Sequence, residues 1–168
     1  MVPEIRKLGD AVLRENCREV REVDHEIKNL FLRMDETLHA HPGRVGLAAN
    51  QVGILKKLFI YDMGFGTRCF LNPQIIEKEG EEIREEGCLS IPGITVPVPR
   101  ATRVKVRFES LDGYRLILEA YGFTARVIQH ECDHLEGVLI LDRCDPAEKR
   151  RALAKYEELQ IKGQVVNV

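Results

Sequence analysis

Little in this chain takes it outside the ordinary globular class, and each shortage excludes something. No apolar run is long enough to span a bilayer: the strongest, Gly137-Val138-Leu139-Ile140-Leu141, falls far short of the roughly 20 residues a membrane helix needs. Neither sign of charge is in surplus. Lysine and arginine number 25 against 27 acids, a net charge of -2, so there is no electrostatic reason to expect nucleic acid or an anionic membrane as a partner. The five cysteines (17, 69, 88, 132 and 144) are odd in number and contain no CxxC pair, which argues against a disulfide framework and for reduced thiols, one of them free to serve as a thiolate. The start, Met1-Val2-Pro3-Glu4-Ile5-Arg6-Lys7, lacks the apolar stretch of a signal peptide, and a cytoplasmic location is the expectation. Internal repeats, low-complexity tracts and Gly/Ser linkers are also missing, so residues 1–168 are expected to form one domain. A chain of that length buries about 70% of its unfolded surface, enough for a real core.

What is present reads as α+β. From Asp24 to about His41, Ile27, Leu30, Phe31, Met34 and Leu38 fall at helical spacing, with Asp24 as N-cap and Pro42-Gly43 as a stop. Short β-like runs follow at residues 57–61, 69–71, 75–76, 103–108 and 114–119, the last two joined across Asp112-Gly113 and expected to pair antiparallel. A second helix is expected from about Phe123 to Glu136, closed by Gly137, and a charged third helix from Pro146, behind Asp145, to about Ile161. Helix, strands and then helices is not the βαβ alternation of a parallel sheet. The expected architecture is mostly antiparallel sheet packed around a central second helix, with an N-terminal and a C-terminal helix.

Chemistry concentrates in that second helix, in His130-Glu131-Cys132-Asp133-His134. Residues four apart share a helix face, so both imidazoles can reach one metal ion while Glu131 stands beside its open coordination position. With only five histidines in 168 residues, the composition predicts on the order of 0.02 chance occurrences of HExxH. Catalytic sites usually take a third protein ligand. The position a metzincin would fill with histidine is Ile140, and no histidine follows His134. A zincin could use Glu157 or Glu158, although both fall in the charged helix. Cys88, in Glu86-Gly87-Cys88-Leu89-Ser90, is the better candidate: it follows a glycine that permits close backbone approach, lies between predicted strands, and offers a soft thiolate. A third stretch, Gly46-Leu47-Ala48-Ala49-Asn50-Gln51, is built of small residues and ends in a side-chain amide able to donate hydrogen bonds.

These three stretches, in this order, resemble the motifs of the peptide deformylase family, GxGxAAxQ, EGCLS and HExDH. The likeness extends to Leu8-Gly9-Asp10, Phe70-Leu71-Asn72-Pro73, Gln129 and Gly137-Val138-Leu139, and covers about Ile5 to Asp145. It implies a metal-dependent hydrolase that removes the formyl group from the N-terminal methionine of newly made polypeptides, releasing formate. Cys88, His130 and His134 would hold one divalent metal, natively ferrous iron, with zinc, nickel or cobalt also accepted. Hydroxide generated at that metal would attack the formyl carbon, Glu131 would act as general base and then acid, and Gln51 with the Leu89 N–H would form the oxyanion site.

By the same resemblance, Glu86 pairs with Arg100, and the substrate lies as an added strand along Val45-Gly46 and near Gly87. The methionine side chain would enter a pocket of Val45, Glu86, Phe123 and Val127. Asp133 is a candidate for orienting an imidazole, and Cys132 is expected to pack away from Glu131. Implied partners are N-formylmethionyl nascent chains and, transiently, the ribosome, for which Lys149, Arg150, Arg151 and Lys155 offer a docking face; a bacterial source fits this reading. Two positions depart from the family pattern: Arg44 stands where the first motif glycine belongs, behind Gly43, and Ala11 replaces a turn proline. An endopeptidase with a carboxylate third ligand, and a closed structural metal site, are the competing readings.

Overall fold

The computed structural model describes residues 2–163. Helix α1, His25–His39, begins where Asp24 caps it, its carboxylate accepting from the Ile27 N–H at 3.0 Å. Its stripe of Ile27, Leu30, Met34 and Leu38 is buried. The strands that follow are β1 (Gly46–Ala48), β2 (Leu58–Asp62), β3 (Thr67–Glu79), β4 (Glu82–Cys88), β5 (Ile91–Arg100), β6 (Arg103–Glu109) and β7 (Arg115–Tyr121). Helices α2, Gly122–Leu135, and α3, Pro146–Ile161, complete the order, which is the expected α+β arrangement.

A five-stranded antiparallel sheet runs β1-β2-β3-β6-β7, and β4 with β5 forms a separate hairpin. Alternation along β2 explains how the sheet is covered on both sides. Leu58 and Ile60 point into a cluster with α1, while Phe59 and Tyr61 point into one with Ala125, Ile128 and Leu135 of α2. Phe59 stacks on Phe70 at 4.6 Å between centroids, and Phe70 meets Phe108 at 4.3 Å, so rings from three neighbouring strands form the floor beneath α2. A third apolar cluster joins Ile94, Val96 and Val98 of β5 to Leu139, Leu141 and the buried Ala152 and Tyr156 of α3.

The two runs expected at 69–71 and 75–76 are one strand, β3, interrupted by a register shift between Leu71 and Gln74. Asn72 takes a left-handed φ of 49° there, and its side chain bonds the Val20 N–H and C=O at 2.7 Å each, which steadies the irregularity. The β4–β5 hairpin was not expected, because its first strand is charged and its second holds Pro92, Pro97 and Pro99. Prolines are admissible in β5 because it pairs with β4 alone.

Several bonds seat α2 between sheet and hairpin. Gln129 grips the Ala101 backbone, accepting from its N–H and donating to its C=O, both at 2.9 Å. Arg126 donates to the carbonyls of Val98 and Glu82 at 2.9 and 2.7 Å. The helix ends at Gly137, whose φ of 74° and close approach to the Arg14 carbonyl both require a residue without a side chain. No helix among the described residues is long and apolar enough to cross a membrane.

Candidate metal centre and active site

Three donors from two elements converge. Cys88 ends β4 at the register shift after Gly87, and His130 and His134 project from the same face of α2. Cys88 Sγ lies 3.3 Å from His134 Nε2, which is 3.2 Å from His130 Nε2, and all three ligand atoms fall within 4.8 Å of one another. A tetrahedral ion with a metal–sulfur bond of about 2.3 Å and metal–nitrogen bonds of about 2.05 Å would hold its ligand atoms roughly 3.5 and 3.3 Å apart. The donor set therefore fits one ion, and a thiolate with two imidazoles suits zinc or iron better than a hard cation such as magnesium. Burial keeps His134 well below the ordinary imidazole pKa, whereas at His130 burial is outweighed by bonds to Cys88 and Glu86 that hold it well above, so a metal that binds here must displace a proton from His130. Glu157 and Glu158 are exposed on α3 and belong to no such cluster among the described residues, so the carboxylate third ligand has no support.

Glu131 points inward beside these donors and is 3% exposed. Its Oε2 is buried with no hydrogen-bond partner, an unsatisfied acceptor of the kind that marks a working group. Burial pushes its carboxyl up to about 7; His130 opposes the rise and Glu86 adds to it. Gly46 makes room for it, since a Cβ there would lie 2.7 Å from Glu131 Oε1. Gln51 is buried in the turn Ala49–Val52, where its Oε1 accepts from the Ala48 N–H at 2.9 Å. That bond directs the Gln51 amide nitrogen toward Ser90 Oγ at 3.1 Å and Cys88 Sγ at 3.8 Å.

A second layer orients the first. The Glu86 carboxylate accepts from Arg100 Nε and Nη2 at 2.9 and 3.0 Å, from Arg126 Nη1 at 2.5 Å, and meets His130 Nδ1 at 2.8 Å. Burial acts to raise its pKa, but the bonds from His130 and Arg100 outweigh it and hold the group at about 2. The expected Glu86–Arg100 pair is thus present, and Glu86 is also the carboxylate that orients an imidazole. Asp133 is not: it pairs with Arg100 at 2.6 Å and with Arg143 at 2.9 Å, because its position on α2 faces those guanidiniums. Cys132 is half-buried against the apolar cluster beneath α2, apart from the donors.

A cavity of about 410 Å³ opens over the centre, and Val45, Gly46, Glu86, Gly87, Phe123 and Val127 all line it, as do Gln51 and Leu89. Sequence reasoning missed Ile91, Pro92, Ile94 and Arg126 in its wall. Arg126 was legible, being four residues before His130 on the same helix face; the β5 residues were hidden with their strand. Arg44 reaches the cavity rim, but its guanidinium turns away to donate to the Thr37 carbonyl of α1. Gly43, with φ 85°, supplies the backbone freedom one residue earlier than the motif glycine would.

The model of the polypeptide deformylase family matches residues 2–150. The chain belongs to that family. It is 49% identical over 140 residues to peptide deformylase 1 of Clostridium perfringens, covering 82% of this chain and 95% of the relative. The crystal structure of the Thermotoga maritima peptide deformylase matches with a TM-score of 0.83 at 44% identity, over 87% of this chain and 99% of that one. The Synechococcus elongatus deformylase, solved in complex with actinonin, matches with a TM-score of 0.87 at 39% identity, over 92% of this chain and 86% of that one. As a family member, this chain is read as a metal-dependent enzyme with antiparallel sheets around its HExxH helix.

Proposed function

We propose that this protein is a peptide deformylase that hydrolyses the formyl amide of N-formylmethionyl nascent polypeptides, releasing formate and a free amino terminus. The observation that carries the reading is the convergence of Cys88, His130 and His134 beside a buried, unpartnered Glu131 oxygen at the floor of an open cavity. These three residues hold the divalent metal, ferrous iron in the cell with zinc, nickel or cobalt as substitutes. When bound, the ion supplies Lewis acidity, bringing the pKa of water toward neutrality and polarising the formyl carbonyl.

The rest is done by the chain. Glu131 accepts a proton from the water that adds to the formyl carbon, and returns it to the amine nitrogen as the C–N bond breaks. Burial favours the protonated form of the Glu131 carboxyl, which helps it take up that proton before passing it on. The Gln51 amide, aimed by its bond to the Ala48 N–H, and the Leu89 N–H meet the negative charge that develops on the formyl oxygen. Glu86 fixes the ring of His130 and so the direction of its Nε2. The peptide lies as an added strand along Val45-Gly46 and Gly87, and its methionine side chain enters between Val45, Phe123 and Val127, above Glu86.

The enzyme acts on nascent chains in the bacterial cytoplasm as a single catalytic domain. Transient docking at the ribosome uses the basic face of α3, where Arg150, Arg151 and Lys155 are exposed and Lys149 is half-buried. Two variants test the assignment of roles. Glu131→Gln should abolish formate release while metal content stays at one ion per chain; Cys88→Ala should lose the metal itself. Metal retained at full affinity in Cys88→Ala would remove that residue from the centre.

A further inference from the structure

The five-stranded sheet ends on β7, and among the described residues no strand covers its outer edge. Natural edge strands are usually shortened, bulged, or carry proline or lysine to prevent pairing with another chain. Strand β7 is neither shortened nor bulged and holds no proline or lysine, and its two charged residues, Arg115 and Glu119, are of opposite sign. It runs for seven residues, Arg115-Leu116-Ile117-Leu118-Glu119-Ala120-Tyr121, in unbroken register with β6. Leu116 is 44% exposed and Ile117 61% exposed.

Two backbone bonds determine which groups that edge offers. The Gly122 N–H donates to the Thr102 carbonyl and the Ser110 N–H to the Tyr114 carbonyl, both at 2.9 Å. Hydrogen-bonded and non-hydrogen-bonded pairs alternate along an antiparallel ladder. Even-numbered residues of β7 therefore turn their N–H and C=O groups to β6, and Arg115, Ile117, Glu119 and Tyr121 direct theirs outward. A two-fold antiparallel partner must then match odd residues with odd residues. Of the registers this permits, the one centred on Ile117 sets Arg115 opposite Glu119 at both ends, Ile117 opposite Ile117, and Leu116 opposite Leu118 on the core side. Shifting the centre toward Glu119 loses both opposed charge pairs; like or unmatched groups then face each other.

We propose that β7 pairs with β7 of a second copy of this chain in that register, joining two five-stranded sheets into one continuous sheet. The strand is complementary to itself in hydrogen bonding, in charge and in apolar face. Arg115 is free to take part, since its side chain is 86% exposed and its one close acid among the described residues, Glu109, is 3.9 Å away. Glu119 presents a carboxylate already steadied by Arg103 and by Lys105 at 3.9 Å.

The test is the mass of the intact protein in solution by sedimentation equilibrium, from micromolar to millimolar concentration. Wild type should move from the chain mass of 19.2 kDa to twice that value as concentration rises. Arg115→Glu sets acid against acid at both ends, and Glu119→Arg sets base against base, so each variant alone should remain at the chain mass. Mixed in equal amounts, they should form a dimer, because every opposed pair is then of opposite charge. Ile117→Lys should be monomeric and should not be rescued by either variant. Thermal melts check that all of them are folded. Wild type staying monomeric at millimolar concentration would overturn the proposal, and so would a mixture of the two charge variants that fails to associate.

Discussion

Replacing Glu86 with glutamine keeps the size and shape of the side chain and removes the one negative charge that Arg126 and His130 share with Arg100. Side chains of Glu86, Arg100 and Arg126 are 6, 5 and 7% exposed, so water cannot take over. Arg100 keeps Asp133 at 2.6 Å, but Arg126 is left with carbonyl oxygens and no opposing charge. Removing one partner from such a buried group costs about 3–5 kcal/mol. For a chain of this size, where 1 kcal/mol is worth about 2–4 °C, the melting temperature should fall on the order of 10 °C. Calorimetry of chelator-treated protein at neutral pH is the assay, with Glu85→Gln, exposed on the same strand, as control. The pH dependence gives an independent check. Because the folded-state pKa of Glu86 is depressed from 4.5 to about 2, its contribution is complete above the unfolded value and is lost as pH falls through that interval. The gap between wild type and Glu86→Gln should therefore narrow in acid by about 3 kcal/mol. Metal affinity should also drop, by roughly 10- to 100-fold, with the loss of the His130 Nδ1 partner. A variant that melts within about 2 °C of wild type and shows the same acid limb would refute this role of Glu86.

Gly46→Ala should displace the Glu131 carboxylate, since the new Cβ would sit 2.7 Å from Oε1; a steady-state assay should show kcat falling while metal content is unchanged. Gly137→Ala combines a φ of 74° with a Cβ 2.5 Å from the Arg14 carbonyl oxygen, and denaturant unfolding should report a loss of more than about 2 kcal/mol. Glu131→Gln should change the pH profile of stability in the opposite sense to Glu86→Gln. With a folded pKa raised from 4.5 to about 7, the wild-type carboxylate binds its proton more tightly when folded, so wild type loses stability as pH rises through that interval and the variant does not. In chelated protein the difference should grow by on the order of 3 kcal/mol between pH 4.5 and pH 8, and parallel profiles would contradict it.

The parts of the site that could be read from sequence are those where spacing alone settles geometry. His130 and His134 lie one helical turn apart, so their shared face followed from α2, and the N-cap Asp24 and the Gly137 stop fell where local chemistry placed them. Cys88 was reached only through its neighbours and the family likeness, because nothing local ties residue 88 to residue 134. What links them is the β4–β5 hairpin, whose alternating burial of Ile94, Val96, Val98 and Arg100 was masked by prolines and charges. The same masking hid Ile91 and Pro92 as parts of the cavity wall and left Asp133, a carboxylate beside the motif, looking better placed than the distant Glu86. Side-chain direction on α2 decides between them: Asp133 faces Arg100 and Arg143, and His130 faces Glu86.

The most direct test of deformylase activity is made anaerobically, with ferrous-loaded protein and a short N-formylmethionyl peptide, quantifying formate and the mass of every peptide product, with Glu131→Gln in parallel. One formate per free amino terminus, with the peptide backbone intact and both signals absent in the variant, is the predicted result. Cleavage at an internal peptide bond, or formate release that survives in Glu131→Gln, would contradict it.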